Sequence, residues 1–390
     1  MKNRIFTYLK NIFGTLFFLL ITGLIILLSM NGSVNLGTNE VAKNLHNEGP
    51  YIFFENDSVL SVNYLKGNKD DGFEVDCKKY SSKNELTISS FFPLDSTYFN
   101  FNLKTAFNTP KSIYDDDYPI IAISDIESGY KSFRDFLIKN QVIDSNLQWT
   151  FGKGHLVLVG DFVDRGASTT QVLWFIYKLE QEAAKNGGMV HFIIGNHEIK
   201  NLQGDYLSSS LKYKAVSAIL EKQQFELFNK KSFLGKWLSS KNVIERINGN
   251  LFVHGGIHPD ITSYAIDLDS INTIVRKNYA LTFYPKKQKS LTQFLTSTRT
   301  GLAWYRGYFK DNVSEEQIES CLKKFNANSI IVGHTLQRKV KKLFNGKLYA
   351  IDIKHPKDYE TNWPLKKSEG LLIKNNAYYR ATHNGKTEKL

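Results

Sequence analysis

The stretch HLVLVGDFVDRG, residues 155–166, joins an apolar run to a loop that lies between two glycines. The first five residues have the length and composition of a buried β-strand. The loop after them carries two carboxylates and an arginine, namely Asp161, Asp164 and Arg165. Because glycine allows tight backbone turns, these neighbouring side chains can share one site.

Four further apolar runs end in the same way between residues 118 and 352. PIIAIS, HFIIG, LFV and SIIVG lead into Asp125, Asn196, His254 and His334, respectively. Helical stretches alternate with these runs, such as the amphipathic segment 169–188, which is typical of an α/β fold. Since ligand sites of α/β sheets lie at the carboxyl ends of the strands, we expect these side chains to meet.

Asp, Asn and His together form a mixed oxygen and nitrogen ligand set, which suits hard and borderline divalent metals. With Glu127 beside Asp125 the set has six members, too many for one tetrahedral zinc ion. It fits two metals about 3.5–4 Å apart that share a carboxylate, the arrangement that clamps a phosphoryl group for in-line attack. Taken alone, Asp125 and Glu127 would more often belong to a solvated loop or a helix cap. The prediction depends on all the motifs occurring in this order.

The motifs resemble those of the phosphoprotein phosphatase family within the calcineurin-like metallophosphoesterases, whose pattern is D-x-H, G-D-x-x-D-R-G, G-N-H-E, H-G-G and a late histidine. Residues 301–306, GLAWYR, are similar to a segment of the bacterial, Shewanella-like branch. The resemblance covers roughly residues 118–352. It implies an α/β (α+β) fold, a β-sandwich flanked by helices, with the site at one end of the strands.

The resemblance also implies a role for each matching residue. Asp161 would bridge two metals, with Asp125 and Glu127 on the first metal and Asn196, His254 and His334 on the second. Arg165 and Arg306 would bind the phosphate oxygens, because a planar guanidinium matches their geometry. His197, oriented by Asp164, would protonate the leaving oxygen. The other histidines, His46, His155, His191, His258, His355 and His383, are expected to be structural.

Glu127 departs from the family pattern, which has histidine there, and Ser124 stands where glycine is usual. If Glu127 is a ligand, the first metal sees only carboxylates and water, which favours Mn²⁺, Mg²⁺ or iron over zinc. For the two ions together Mn²⁺ is the leading prediction, with Mg²⁺, iron or Zn²⁺ as alternatives. If Glu127 is not a ligand, the site could be impaired, and the chain would bind phosphorylated partners without turnover. Since the rest of the motif set is intact, we predict a working enzyme.

The N-terminal residues 12–30 form an apolar stretch of nineteen residues without a charge. As a helix this stretch is about 28 Å long, close to the ~30 Å thickness of the hydrocarbon core. Lys2, Arg4 and Lys10 precede it, which predicts a cytoplasmic N-terminus and an extracytoplasmic catalytic part, periplasmic in a bacterium. A cleaved signal peptide is the alternative. Its apolar region is normally only about 7–15 residues long, so a single-pass anchor is favoured.

The chain therefore divides into an anchor at 1–30, a stalk and β-rich domain at 31–114, and a catalytic domain at 115–390. The net charge of +12 is scattered, and no nucleic-acid motif accompanies it, so no nucleic-acid partner is predicted. The two cysteines, Cys77 and Cys321, are too few for a disulfide framework or a cysteine-based zinc site. Whether they pair is left open, as is the oligomeric state.

The predicted function is metal-dependent hydrolysis of phosphate monoesters, with phosphoproteins as the leading substrates. Two alternatives remain from the sequence. One is hydrolysis of small phosphate esters or dinucleotide polyphosphates, and the other is a phosphate-binding module with weak catalysis. Substrate choice is expected to depend on residues 205–247, which resemble a helical cap, and on residues 257–300.

Overall fold

The computed structural model of the chain describes residues 2–30, 34–36, 41, 45–281, 290–310 and 313–390. The helices are α1 (Lys2–Ser29), α2 (Tyr130–Lys139), α3 (Thr169–Lys185), α4 (Asn196–Gln203), α5 (Leu211–Ile219), α6 (Phe233–Ser239), α7 (Leu268–Asn278), α8 (Leu291–Thr296) and α9 (Glu315–Lys324). The strands of the first third are β1 (Val34–Leu36), β2 (Glu48–Asn56), β3 (Val59–Asn68), β4 (Gly72–Ser81), β5 (Leu86–Phe92), β6 (Thr97–Leu103) and β7 (Ile113–Tyr114).

The remaining strands form most of a sandwich. They are β8 (Ile120–Ile123), β9 (His155–Val159), β10 (Met189–Ile193), β11 (Ile244–Ile247), β12 (Asn250–Val253), β13 (Ser329–Val332), β14 (Lys341–Leu343), β15 (Leu348–Ala350), β16 (Thr361–Trp363), β17 (Glu369–Lys374), β18 (Ala377–Thr382) and β19 (Thr387–Lys389). One six-stranded sheet has the order β10-β9-β8-β17-β18-β19, and a second has the order β14-β15-β13-β12-β11-β7.

The two sheets face each other across an apolar layer. Its buried members come from both sheets and include Ile120, Val157 and Ile193 on one side and Phe252, Ile331 and Tyr349 on the other. Removing this apolar surface from water is the main force that holds the sheets together. The α/β sandwich expected from the sequence is confirmed.

Parallel pairing of the strands brings the loops with the predicted site residues together. Strands β8, β9 and β10 run parallel to one another, and so do β12, β13 and β15. Because parallel strands end at the same edge of a sheet, the loops that follow them are neighbours. The edge formed by these six carboxyl ends carries the candidate site.

The N-terminal strands pack onto the catalytic helices. The indole of Trp174 in α3 stacks on Phe101 of β6 at 4.7 Å and donates a hydrogen bond to the Pro50 carbonyl at 2.9 Å. The buried Glu48 of β2 pairs with Lys212 of α5 at 2.7 Å. These strands therefore share one hydrophobic cluster with the catalytic part. The boundary at residue 114 stays a prediction.

Helix α1 contains the segment Arg4–Ser29, which is long and apolar enough to cross a membrane, with a mean hydropathy of 2.6 and none of it buried. A signal sequence would pass the same test of length and composition. In the described part of the chain the two cysteines are free, Cys77 exposed and Cys321 buried.

Candidate metal centre

The loop after β9 is shaped by two residues with left-handed backbone angles. Gly160 has φ +76°, and a Cβ there would lie 2.5 Å from Nδ1 of His254. Only glycine allows this close approach of the backbone to the imidazole. Asp161 follows with φ +58°, which turns its carboxylate back over the strand ends.

Acceptor atoms converge at this point. The ligand atoms of Asp161, His254 and His334 all lie within 4.8 Å of one another. Nδ1 of His254 donates to the Val159 carbonyl at 2.7 Å, so the other ring nitrogen faces Oδ2 of Asp161 at 3.1 Å and Oδ1 of Asn196 at 3.1 Å. In the neutral ring, that nitrogen is an acceptor like the oxygens opposite it. A cluster of facing acceptors requires a shared proton or a cation.

The electrostatics lead to the same conclusion. Burial raises the pKa of Asp125 to about 6. Although burial opposes the shift, the charges of Asp161 and Asp125 raise the pKa of His254 to about 10. Without a cation, the negative charge of these buried carboxylates is balanced by a proton on the neighbouring imidazole. A divalent cation bound by the same oxygen and nitrogen atoms would balance that charge instead. The residues present therefore fit a metal centre. His334 joins it because its backbone N–H donates to Oδ2 of Asp125 at 3.1 Å.

His197 and Asp164 form a hydrogen-bonded pair beside the cluster. Nδ1 of His197 lies 2.7 Å from Oδ2 of Asp164, and Asn201 donates to the other carboxylate oxygen at 3.0 Å. The His197 backbone N–H donates to Oδ1 of Asp161 at 2.9 Å. Asp164 thus fixes the ring and Asp161 the backbone of His197, with Nε2 turned towards Arg165 at 2.9 Å.

The two arginines named from the sequence lie on the wall of the same cavity. Arg306 donates to the His334 carbonyl at 2.6 Å and to Oγ1 of Thr335 at 3.3 Å. Arg165 forms an ion pair with Glu127, and Lys357 lies 3.2 Å from the second oxygen of that carboxylate. Glu127 therefore lies at the cavity with two basic partners. Its role as a ligand stays a prediction.

Sequence reasoning missed the function of Glu198. Its carboxylate accepts the backbone N–H groups of Gly195 at 2.9 Å, Asp161 at 3.0 Å, Phe162 at 2.8 Å and Val163 at 3.3 Å. This one side chain ties the loop after β9 to the start of α4. Its position three residues after Gly195, where a capping box places a glutamate, was the available signal.

Two further side chains in the cavity were also missed. Asp352 and His355 follow β15 and line the 390 Å³ cavity together with Asp125, Asp161 and His334. Burial and the charge of Asp125 raise the pKa of Asp352 well above its usual range. The run LYAI ends in Asp352 as the other runs end in their polar side chains, so the same signal was present.

A family model described as calcineurin-like phosphoesterase matches residues 118–338. Among curated proteins, Shewanella-like protein phosphatase 1 of Plasmodium berghei is 28% identical over 254 residues, 63% of this chain and 66% of that protein. Shewanella-like protein phosphatase 2 of Arabidopsis thaliana is 35% identical over 116 residues, 30% of this chain and 28% of that protein. This chain thus spans less than a third of the Arabidopsis relative.

Among solved structures, a cold-active protein-tyrosine phosphatase of a psychrophilic Shewanella species is similar to this chain. It superposes with a TM-score of 0.75 at 32% sequence identity, and the match covers 88% of this chain and 99% of that one.

Proposed function

Since this chain belongs to the calcineurin-like phosphoesterase family and is a metal-dependent phosphoester hydrolase, we propose that its substrates are phosphoproteins and that it uses two divalent cations. The observation that carries the proposal is the convergence of Asp161, His254 and His334 within 4.8 Å, next to the His197–Asp164 pair. Protein phosphatases are among the similar proteins of three organisms, which supports the substrate class.

We assign the cations to the side chains that meet at the strand ends. Asp161 would be shared between them, with Asp125 on one side and Asn196, His254 and His334 on the other. When bound, the cations would supply Lewis acidity and a water molecule activated for attack on phosphorus. The oxygen-rich side at Asp125 favours Mn²⁺ over softer ions. Ligation by Glu127 would require its pairs with Arg165 and Lys357 to open.

The protein side chains bind and protonate the substrate in this scheme. Arg306 and Arg165 would bind the phosphate oxygens in two-pronged contacts, for which Arg165 exchanges Glu127 for the substrate. That exchange frees Nε2 of His197, which now contacts Arg165. The imidazolium would donate its Nε2 proton to the leaving oxygen, while Asp164 stabilises the positive ring through Nδ1.

A basic groove beside the centre supports a peptide substrate. Its volume is about 880 Å³, and Lys200, Arg299 and Lys310 line it together with the two phosphate-binding arginines. Asp260 is the acidic side chain of the lining. A phosphopeptide with acidic flanking residues would match the charge of this groove.

A substrate panel tests the proposal. The full chain in detergent, supplied with Mn²⁺, is assayed on phosphoserine, phosphothreonine and phosphotyrosine peptides, an aryl phosphate and a dinucleotide polyphosphate. We expect kcat/KM to be highest for peptides with acidic flanks. A clear preference for the dinucleotide polyphosphate would refute the phosphoprotein assignment, and the absence of metal-dependent turnover on every compound would refute the enzyme.

We also propose that α1 is an uncleaved single-pass anchor, with the catalytic part on the extracytoplasmic side. Its support is the apolar segment Arg4–Ser29 and the basic residues before and within its start.

A further inference from the structure

Two side chains of the loop after β15 line the cavity of the metal centre, and the described part of the chain offers their side-chain polar atoms no hydrogen bond or ion pair. Asp352 is 6% exposed, and among the described residues no hydrogen bond or ion pair reaches its carboxylate. His355 is 4% exposed, and neither ring nitrogen forms a hydrogen bond of full geometry with the described residues, although the Ser124 backbone lies against the ring. Burying such groups unpaired is costly, so a carboxylate and an imidazole that line one cavity indicate a ligand between them.

The loop that carries them is fixed against the segment after β8. The carboxylate of Asp358 accepts the N–H groups of Tyr130 at 2.8 Å and Lys131 at 3.1 Å, which caps the start of α2. One residue earlier, Lys357 contacts Glu127. The contacts of Asp358 and Lys357 therefore hold the loop with Asp352 and His355 on the Asp125 side of the cavity.

The carboxylate of Glu127, which lines the same cavity, already forms ion pairs. Arg165 and Lys357 both contact its carboxylate, so two positive charges already neutralise it. Glu127 thus has two basic side chains in contact with its carboxylate without any cation. Asp352 and His355, which follow a strand of the other sheet, have no such contact in the described part of the chain, and Asp352 only feels the charge of Arg306.

We propose that Asp352 and His355 bind the cation next to Asp125, in place of the side chain at position 127. The proposal rests on the two-cation function above. With Asp125 and the shared Asp161, this cation would have three carboxylates and one imidazole nitrogen. That donor set suits Mn²⁺, and it restores to the site a nitrogen donor that Glu127 lacks. The ligand would come from the end of β15 instead of the end of β8.

Cation stoichiometry tests the assignment without reference to activity. The full chain in detergent is stripped with a chelator and titrated with Mn²⁺ by calorimetry, and bound metal is then counted by elemental analysis. We expect two Mn²⁺ per wild-type chain. Asp352→Asn and His355→Gln should each weaken one of the two by at least about 10–100-fold, the range already seen when only an outer partner of a ligand is lost. Glu127→Gln should keep both.

Matched controls separate ligation from general damage. Asp57→Asn and His383→Gln make the same chemical changes at residues outside the cavity lining and should bind two cations. Asp352→Glu keeps the charge and should bind more tightly than Asp352→Asn, and circular dichroism verifies the fold of each variant. Two tightly bound cations in Asp352→Asn or in His355→Gln would overturn the assignment of that residue. Loss of a cation in Glu127→Gln would overturn the proposal that Asp352 and His355 bind this cation in place of Glu127. A wild-type chain that binds no Mn²⁺ would instead refute the proposed function.

Discussion

At the scale of single residues, the site depends on which atoms already have partners. Nδ1 of His254 is bound to a backbone carbonyl and Nδ1 of His197 to Asp164, so the direction of the second nitrogen of each ring is fixed. This is the usual way in which a protein fixes the tautomer of a functional histidine. The second nitrogens nevertheless face different groups: that of His254 faces the acceptor cluster, and that of His197 faces Arg165.

His197→Ala should slow substrates with poor leaving groups far more than substrates with good ones. A phosphoserine peptide needs protonation of its leaving oxygen, whereas an aryl phosphate needs little, and general acid catalysis contributes roughly 10²–10⁴-fold. The measurement is kcat for both substrates in the wild type and the variant. If both substrates lose the same factor, His197 is a structural residue.

Glu198→Gln should destabilise the protein. Four backbone N–H groups point at the Glu198 carboxylate, and a glutamine would present an NH₂ group to some of them. Leaving a buried donor unpaired costs about 1–3 kcal/mol in the free energy of unfolding. Urea unfolding of the variant measures this loss. Glu85→Gln, a change at an exposed glutamate, is the control and should leave the midpoint in place. Equal midpoints for the two variants would contradict the role of Glu198 as a tie between loops.

At the scale of elements, the far end of the sandwich holds a buried polar chain that connects three strands. His155 at the start of β9 contacts Asp116 at 2.9 Å and His191 of β10 at 2.9 Å, and His191 contacts Glu245 of β11 at 2.7 Å. Tyr114 of β7 packs on the His191 ring at 4.6 Å. Burial, followed by the charge of His191, lowers the pKa of His155, against the opposing charges of Asp116 and Glu245.

This lowered pKa predicts acid sensitivity. The unfolded chain protonates His155 near pH 6.5, while the folded chain does so only at lower pH, so stability is full above pH 6.5 and falls as the pH drops below it. For one proton the slope is at most about 1.4 kcal/mol per pH unit. His155→Gln should flatten the loss of stability between pH 7.5 and 5.5, as measured by urea unfolding at each pH. His383→Gln is the control. Unchanged slopes in His155→Gln would place the acid sensitivity elsewhere.

Helix α1 predicts the topology of the chain. Lys2, Arg4 and Lys10 lie before or at the start of the apolar segment, which should keep the N-terminus in the cytoplasm. A reporter that works only outside the cytoplasm should therefore be active when it is fused to the C-terminus. A paired reporter that works only in the cytoplasm should be silent. The reverse result would contradict the orientation, and a mature chain that begins near residue 31 would identify a cleaved signal sequence.

At the scale of the whole molecule, the sequence predicted the features that depend on local pattern. The α/β class followed from apolar runs that alternate with helical stretches, and α3 followed from its amphipathic period and the two glycines after it. The sandwich was an expectation from the family resemblance. The ion pairs of Glu127 were out of reach, because Lys357 comes from a loop more than two hundred residues away. Asp352 was missed although an apolar run leads into it, because its loop carries no motif of the similar family, and only burial makes His355 notable.

The shared core of the N-terminal strands and the catalytic helices was also not predictable. The sequence identifies the apolar residues of each N-terminal strand, but it does not say which residues of the catalytic part they pack against. Trp174 stacking on Phe101 is such a contact. Contacts between distant segments depend on the assembled fold and not on any local period.

The central claim is that Asp161 joins two cations at the ends of the strands. The most direct test measures bound Mn²⁺ and kcat/KM together for the wild type and for Asp161→Asn, which keeps the shape of the side chain and removes its charge. We predict two cations per wild-type chain, at most one in the variant, and a loss of turnover on the order of several kcal/mol in transition-state stabilisation. A variant that binds two cations and hydrolyses phosphopeptides at the wild-type rate would contradict the account.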